Sequence, residues 1–203
     1  MKKPINKPMK RLSIYLFLIL FTLPTPSQAD DIRDFQIEGI SVGDSLLNYF
    51  TEEEINNKEK LYWKKKYISI IFNYLPSFEV YDAVQFTYKT NDKEFKIYSI
   101  EGFLYFKNTI KDCYKKQDEI VKELSSVFKN LNKRKQKDKH AVDKSGESKF
   151  TAVNFLFDSG GSARVICTDW GEKISTEKNW TDVLKVIVNS KKFTHFLTYE
   201  AYK

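Results

Sequence analysis

Residues 82–106 read DAVQFTYKTNDKEFKIYSIEGFLYF, and this stretch decides the fold. Val84, Phe86 and Tyr88 alternate with Gln85, Thr87 and Lys89, the period of two that sends successive side chains to opposite faces of a strand. Thr90, Asn91 and Asp92 supply a turn, after which an aromatic and β-branched run resumes over residues 93–106. Two antiparallel strands are therefore expected, with a bulge or bend at Glu101-Gly102. Upstream, YISIIFN at residues 67–73 adds a third strand.

Downstream the period changes. Ile110, Cys113, Tyr114, Ile120, Val121, Leu124, Val127, Phe128 and Leu131 fall three and four residues apart, which predicts one long amphipathic helix over residues 109–131. Residues 149–158 and 163–169 return to strand patterning through the turn Ser159-Gly160-Gly161-Ser162. A sixth strand at residues 182–189 places Leu184, Val186 and Val188 on one face, and Ser190 then caps a final helix carrying Phe193, Phe196, Leu197 and Ala201. Near the other end, residues 46–50 read as a short helix, and Thr51 with Glu54 forms a capping box that starts another. The expected fold is a single α+β domain over residues 30–203. It has a largely antiparallel sheet of about six strands, one long helix packed on it and short helices at both ends.

The chain has 203 residues, with 41% hydrophobic and 30% charged residues and a formal net charge of +7. That composition excludes a disordered tail and a disulfide-dense miniprotein. The charge divides by segment. Lys2, Lys3, Lys7, Lys10 and Arg11 precede an apolar run at residues 12–23, and Ser27 and Ala29 stand at the −3 and −1 positions of a cut before Asp30. Residues 1–29 thus read as a secretory signal peptide, its apolar run short of the about 20 residues a membrane-spanning helix needs. No transmembrane span is expected after cleavage. Without these residues the chain keeps 29 Lys plus Arg against 27 Asp plus Glu, a net +2. Export and this near balance argue against a nucleic-acid partner and for an exported protein, periplasmic in a Gram-negative cell.

Export also gives meaning to the two cysteines. Cys113 lies on the apolar stripe of the long helix, and Cys167 shares a strand face with Ala163 and Val165. A helix packed on that sheet brings them together as a disulfide, worth about 4 kcal/mol in the chain-entropy picture. Two buried free thiols are the alternative.

Little else points to chemistry. Gly43-Asp44-Ser45-Leu46 resembles the signature of GDSL hydrolases, which implies a serine esterase with Ser45 as nucleophile. That family's base sits in an Asp-x-x-His pair, whereas Lys137 and Lys192 stand three residues before His140 and His195. The residues favour Asp44 or Ser45 as a helix cap after a glycine turn. No cysteine–histidine cluster has zinc spacing and no phosphate-binding loop is present, so neither metal nor cofactor is expected. Residues 132–149 lack apolar periodicity and read as a flexible basic loop. Within it Lys133, Arg134, Lys135, Lys137 and Lys139, with Asp138, give +4 across seven residues. The run Lys64-Lys65-Lys66 is shorter.

Residues 31–39 (DIRDFQIEG), 43–47 (GDSLL), 112–116 (DCYKK) and 190–203 resemble a family of small uncharacterised exported proteins of marine alphaproteobacteria with AT-rich genomes. The resemblance implies a periplasmic setting and carries over no functional residue. The expected function is a noncatalytic binding or envelope-interaction module. Its partner is another envelope protein or an anionic envelope surface, lipid or polysaccharide, met through residues 133–139.

Overall fold

The computed structural model describes residues 32, 35–107, 109–128 and 132–203. The expected signal peptide and its cut lie outside the described residues.

An eight-stranded, wholly antiparallel sheet organises the chain. Its strands are β3 (Leu61–Trp63), β4 (Tyr67–Asn73), β5 (Ala83–Lys89), β6 (Ile97–Phe106), β7 (Asn132–Lys139), β8 (Lys149–Leu156), β9 (Ser162–Asp169) and β10 (Asp182–Asn189). They lie in the order β3-β4-β5-β6-β10-β9-β8-β7. Two four-stranded meanders therefore meet where β6 pairs with β10. A separate hairpin of β1 (Gln36–Ile37) and β2 (Ile40–Ser41) turns through Glu38 and Gly39, at φ 53° and 75°. Glu38 is held in that left-handed conformation by the work of its carboxylate, which accepts the backbone N–H groups of Glu79, Val80 and Tyr81 at 2.9, 2.8 and 2.7 Å.

The α+β reading holds, and its details change. Eight strands stand in place of the expected six, and the two additional strands are the edges of the sheet. β3 is only three residues long, and β7 is exposed on both faces, so neither shows the alternation that a half-buried strand must have. Residues 132–139 are thus a strand in place of a flexible loop, paired in unbroken register with β8 from Asn132↔Leu156 to Lys139↔Lys149. Only residues 140–148 connect the two. The expected bulge at Glu101-Gly102 is also displaced: the register shift lies opposite Thr87 and Tyr88, and Glu101 and Gly102 pair regularly with Gln85 and Val84. Gly102 has a different use, since a Cβ there would sit 2.5 Å from the Tyr81 ring.

Helix α2 (Ile110–Val127) starts at the Thr109 cap and packs across β9, β10 and β6. Cys113, Val121 and Leu124 face the sheet, meeting Val165, Leu184 and Val186 in the core. On the same sheet face, a 3-10 turn (Leu46–Asn48) and α1 (Glu52–Asn56) cover β4 and β5, with Phe50 stacked 4.0 Å from Phe72. The Thr51–Glu54 capping box is present in full. The opposite face receives α4 (Lys191–Tyr199), whose Phe193 and Phe196 pack on Tyr67; its first turn is capped by the Ser190 hydroxyl, as expected. A further helix, α3 (Glu172–Lys178), buries only Ile174 and so left no apolar stripe to read.

Cys113 and Cys167 form the expected disulfide, with Cα atoms 6.0 Å apart and 54 residues of separation. It ties α2 to β9 across the core. Replacing both cysteines by alanine should lower unfolding stability by about 2–4 kcal/mol in urea titrations. An unchanged midpoint would show that packing alone holds the helix.

Candidate functional site

β7 carries the basic run, and its pairing fixes where each charge points. Lys133, Lys135 and Lys137 stand opposite Phe155, Val153 and Thr151 of β8, and Lys139 opposite Lys149. Directly opposed residues share a face, so all four lysines project from the face on which α2 lies, while Arg134, Gln136 and Asp138 project from the other. Alternate residues along a strand are about 6.8 Å apart. Like charges set on alternate residues of one strand face repel one another, and an anionic partner relieves that repulsion.

The backbone of β7 is equally ordered. His140 N–H donates to Ser148 O at 2.8 Å, so His140 and Ser148 are a hydrogen-bonded pair, and the alternation of antiparallel ladders then turns Arg134, Gln136 and Asp138 toward β8. The amides and carbonyls of Lys133, Lys135, Lys137 and Lys139 face outward. The Lys139 amide donates to the Asp138 carboxylate at 2.8 Å, which closes that end of the edge. Every residue of β7 is exposed.

Between β7 and α2 runs an open cleft of about 580 Å³, walled by Tyr114 and Asp118 of the helix and by Lys135 and Lys137, with Val121 and Val153 at its floor. Lys133 reaches the helix, donating from Nζ to Ser125 Oγ at 3.3 Å. Beneath the cleft Gln117 clamps the helix to the sheet. Its Nε2 donates to Thr151 O and Val165 O at 2.8 and 2.9 Å, and its Oε1 accepts from Thr151 Oγ1 at 2.8 Å. Sequence reasoning passed over Gln117 because a polar residue was set aside from the stripe. Its position four residues from both Cys113 and Val121 was the available signal.

The other expected residues lie apart from this cleft. Ser45 Oγ donates to Glu94 O and accepts from Leu47 N–H, so the hydroxyl caps the 3-10 turn through backbone partners. Beside it Asp44 accepts from Ser41 N–H and the Tyr49 hydroxyl, and Tyr49 is pushed up to about 12, first by burial and then by that hydrogen bond. His195 stands exposed on α4 with its ring 4.7 Å from Tyr199. His140 packs 4.4 Å from Trp170, and burial, then the charges of Lys185 and Arg164, hold it below the usual imidazole range. Lys64 and Lys66 are spoken for, donating to Lys203 O and Glu200 respectively.

On the face opposite α2, Glu101, Lys185 and Arg164 form a half-buried charged band. Burial holds Glu101 above the usual carboxylate range, against the pull of the two cations and of Gln85 Nε2, which donates to it at 3.1 Å. Opposite charges lie together in this band. Among the described residues no group of three His, Cys, Asp or Glu is placed to hold a metal. No family model, curated protein or solved structure matches this chain.

Two outcomes follow from this geometry. Gln117→Ala takes the acceptor from the half-buried Thr151 hydroxyl and one donor each from the Thr151 and Val165 carbonyls, and should cost about 1–2 kcal/mol by denaturant titration, with Gln117→Glu failing to restore it. In the 140–148 connection, the Ser148 hydroxyl first and then the Ser145 hydroxyl hold Asp143 well below its usual 3.8. A carboxyl depressed by folding contributes in full above its unfolded value and is lost as pH falls through its folded one. The Ser145 and Ser148 amide resonances should therefore stay constant above about pH 4 and move only well below it. A midpoint near 3.8 would refute the Asp143 hub.

Proposed function

We propose that this chain is an exported, noncatalytic binding module that takes an anionic partner along β7 and the adjoining cleft. One observation carries the reading: the four lysines of β7 project together from one face of a fully exposed edge strand. A loop with the same composition would scatter those charges. The strand lines them up beside a cleft that also offers Tyr114 and two valines to the partner's apolar parts.

The setting supports it. A cystine in the core accords with an oxidising compartment, and among the described residues no helix is long and apolar enough to cross a membrane. The esterase reading of Ser45 gains no support, since both contacts of its hydroxyl are backbone groups.

Fluorescence anisotropy with labelled poly-L-glutamate tests the proposal. Binding should weaken as salt rises, and changing Lys133, Lys135, Lys137 and Lys139 to glutamine should weaken it about tenfold or more. A control changing Lys173, Lys178, Lys191 and Lys192 removes the same charge elsewhere and should leave affinity within about twofold. Equal losses in both variants would mean that net charge alone attracts the probe, and the proposal would fall.

A further inference from the structure

We propose that the partner is an extended acidic peptide segment that pairs with the free edge of β7 as a ninth strand. This rests on the anionic-partner reading above and specifies its chemistry.

The edge is built in a way that admits such a strand. β7 holds eight residues in unbroken register with β8, without a bulge or a proline, and no element of the described residues lies on its outer side. The amides and carbonyls of Lys133, Lys135 and Lys137 point outward from it, and the lysine side chains rise from the same residues on one face. An antiparallel newcomer therefore meets hydrogen-bonding groups and positive charge at the same alternate positions. In such a ladder directly opposed side chains share a face. The complementary sequence is thus acidic at every second residue, with those acidic residues also turning their backbone groups toward β7.

Charge selects against the other occupants of the edge. A second copy pairing β7 to β7 would set lysine rows against each other, which is how exposed strands are kept from self-association. A lipid surface would use the ammonium groups and leave the ordered backbone edge idle. An acidic strand uses both.

The test uses the full chain without its first 29 residues and an eight-residue peptide alternating Glu and Thr, with three relatives of the same composition. In one relative the backbone nitrogens of the Glu residues are methylated, in the second those of the Thr residues, and in the third the Glu residues form a block. By isothermal titration calorimetry the alternating peptide should bind, and the Thr-methylated form should match it within about twofold. The Glu-methylated and block forms should each lose about tenfold or more. A charge-swapped variant with Lys133, Lys135 and Lys137 changed to Glu should instead bind the alternating Lys and Thr peptide, provided its circular dichroism is native.

Equal binding of all four Glu peptides would overturn strand addition while leaving the anionic-partner reading intact. Binding to phosphatidylglycerol vesicles with none to any peptide would likewise replace the peptide with a membrane. Failure of every peptide, the vesicles and poly-L-glutamate would remove both readings together.

Discussion

The pairing of β6 with β10 is the constraint on which the rest of this structure depends. It joins two meanders that are far apart in sequence, with Asp182 opposite Phe106 and Asn189 opposite Ser99. β9 then lies one strand beyond β10, within reach of the helix that leaves β6, and this places Cys167 under Cys113. The same order sends β3 and β7 to opposite edges. Because a meander folds back at each turn, β7, the first strand after α2, is the last in space. The placement of this basic strand at an exposed edge is thus a consequence of topology.

A sheet with α2 on one face and α4 over only part of the other has two ways to remain compatible with water. Across the open part of the second face it carries the band of Glu101, Lys185 and Arg164, in which one carboxylate lies among two cations. On the α2 face of β7 it carries four lysines and no acidic residue of that strand. The first arrangement reads as upkeep of a partly covered sheet, and the second leaves an unbalanced field beside an open cleft.

The parts of the fold that were legible in sequence are those whose apolar residues recur at a strand or helix period. Tyr67–Asn73 and Asp182–Asn189 appear with the bounds their alternation gave, and α2 follows its stripe. The cystine was legible because each cysteine occupied an apolar position on an element of known period. β7 was not, because a strand exposed on both sides obeys no hydrophobic pattern, and its lysines read as those of a loop. Gln117 was hidden for the complementary reason: it is polar where the pattern asks for apolar, and three hydrogen bonds from distant strands justify it. Of the candidate site, therefore, the charges were visible in sequence, and their alignment on one face, their free backbone and the cleft beside them were not.

The central claim is that residues 132–139 form an ordered strand whose outer edge is open. Residue-resolved amide hydrogen exchange on the free protein tests it directly. The account predicts alternation, with the amides of Arg134, Gln136 and Asp138 protected by β8 and those of Lys133, Lys135 and Lys137 exchanging as open backbone. Uniformly fast exchange across the segment would return it to a loop, and protection of the lysine amides would show the edge already covered; either result would contradict the account.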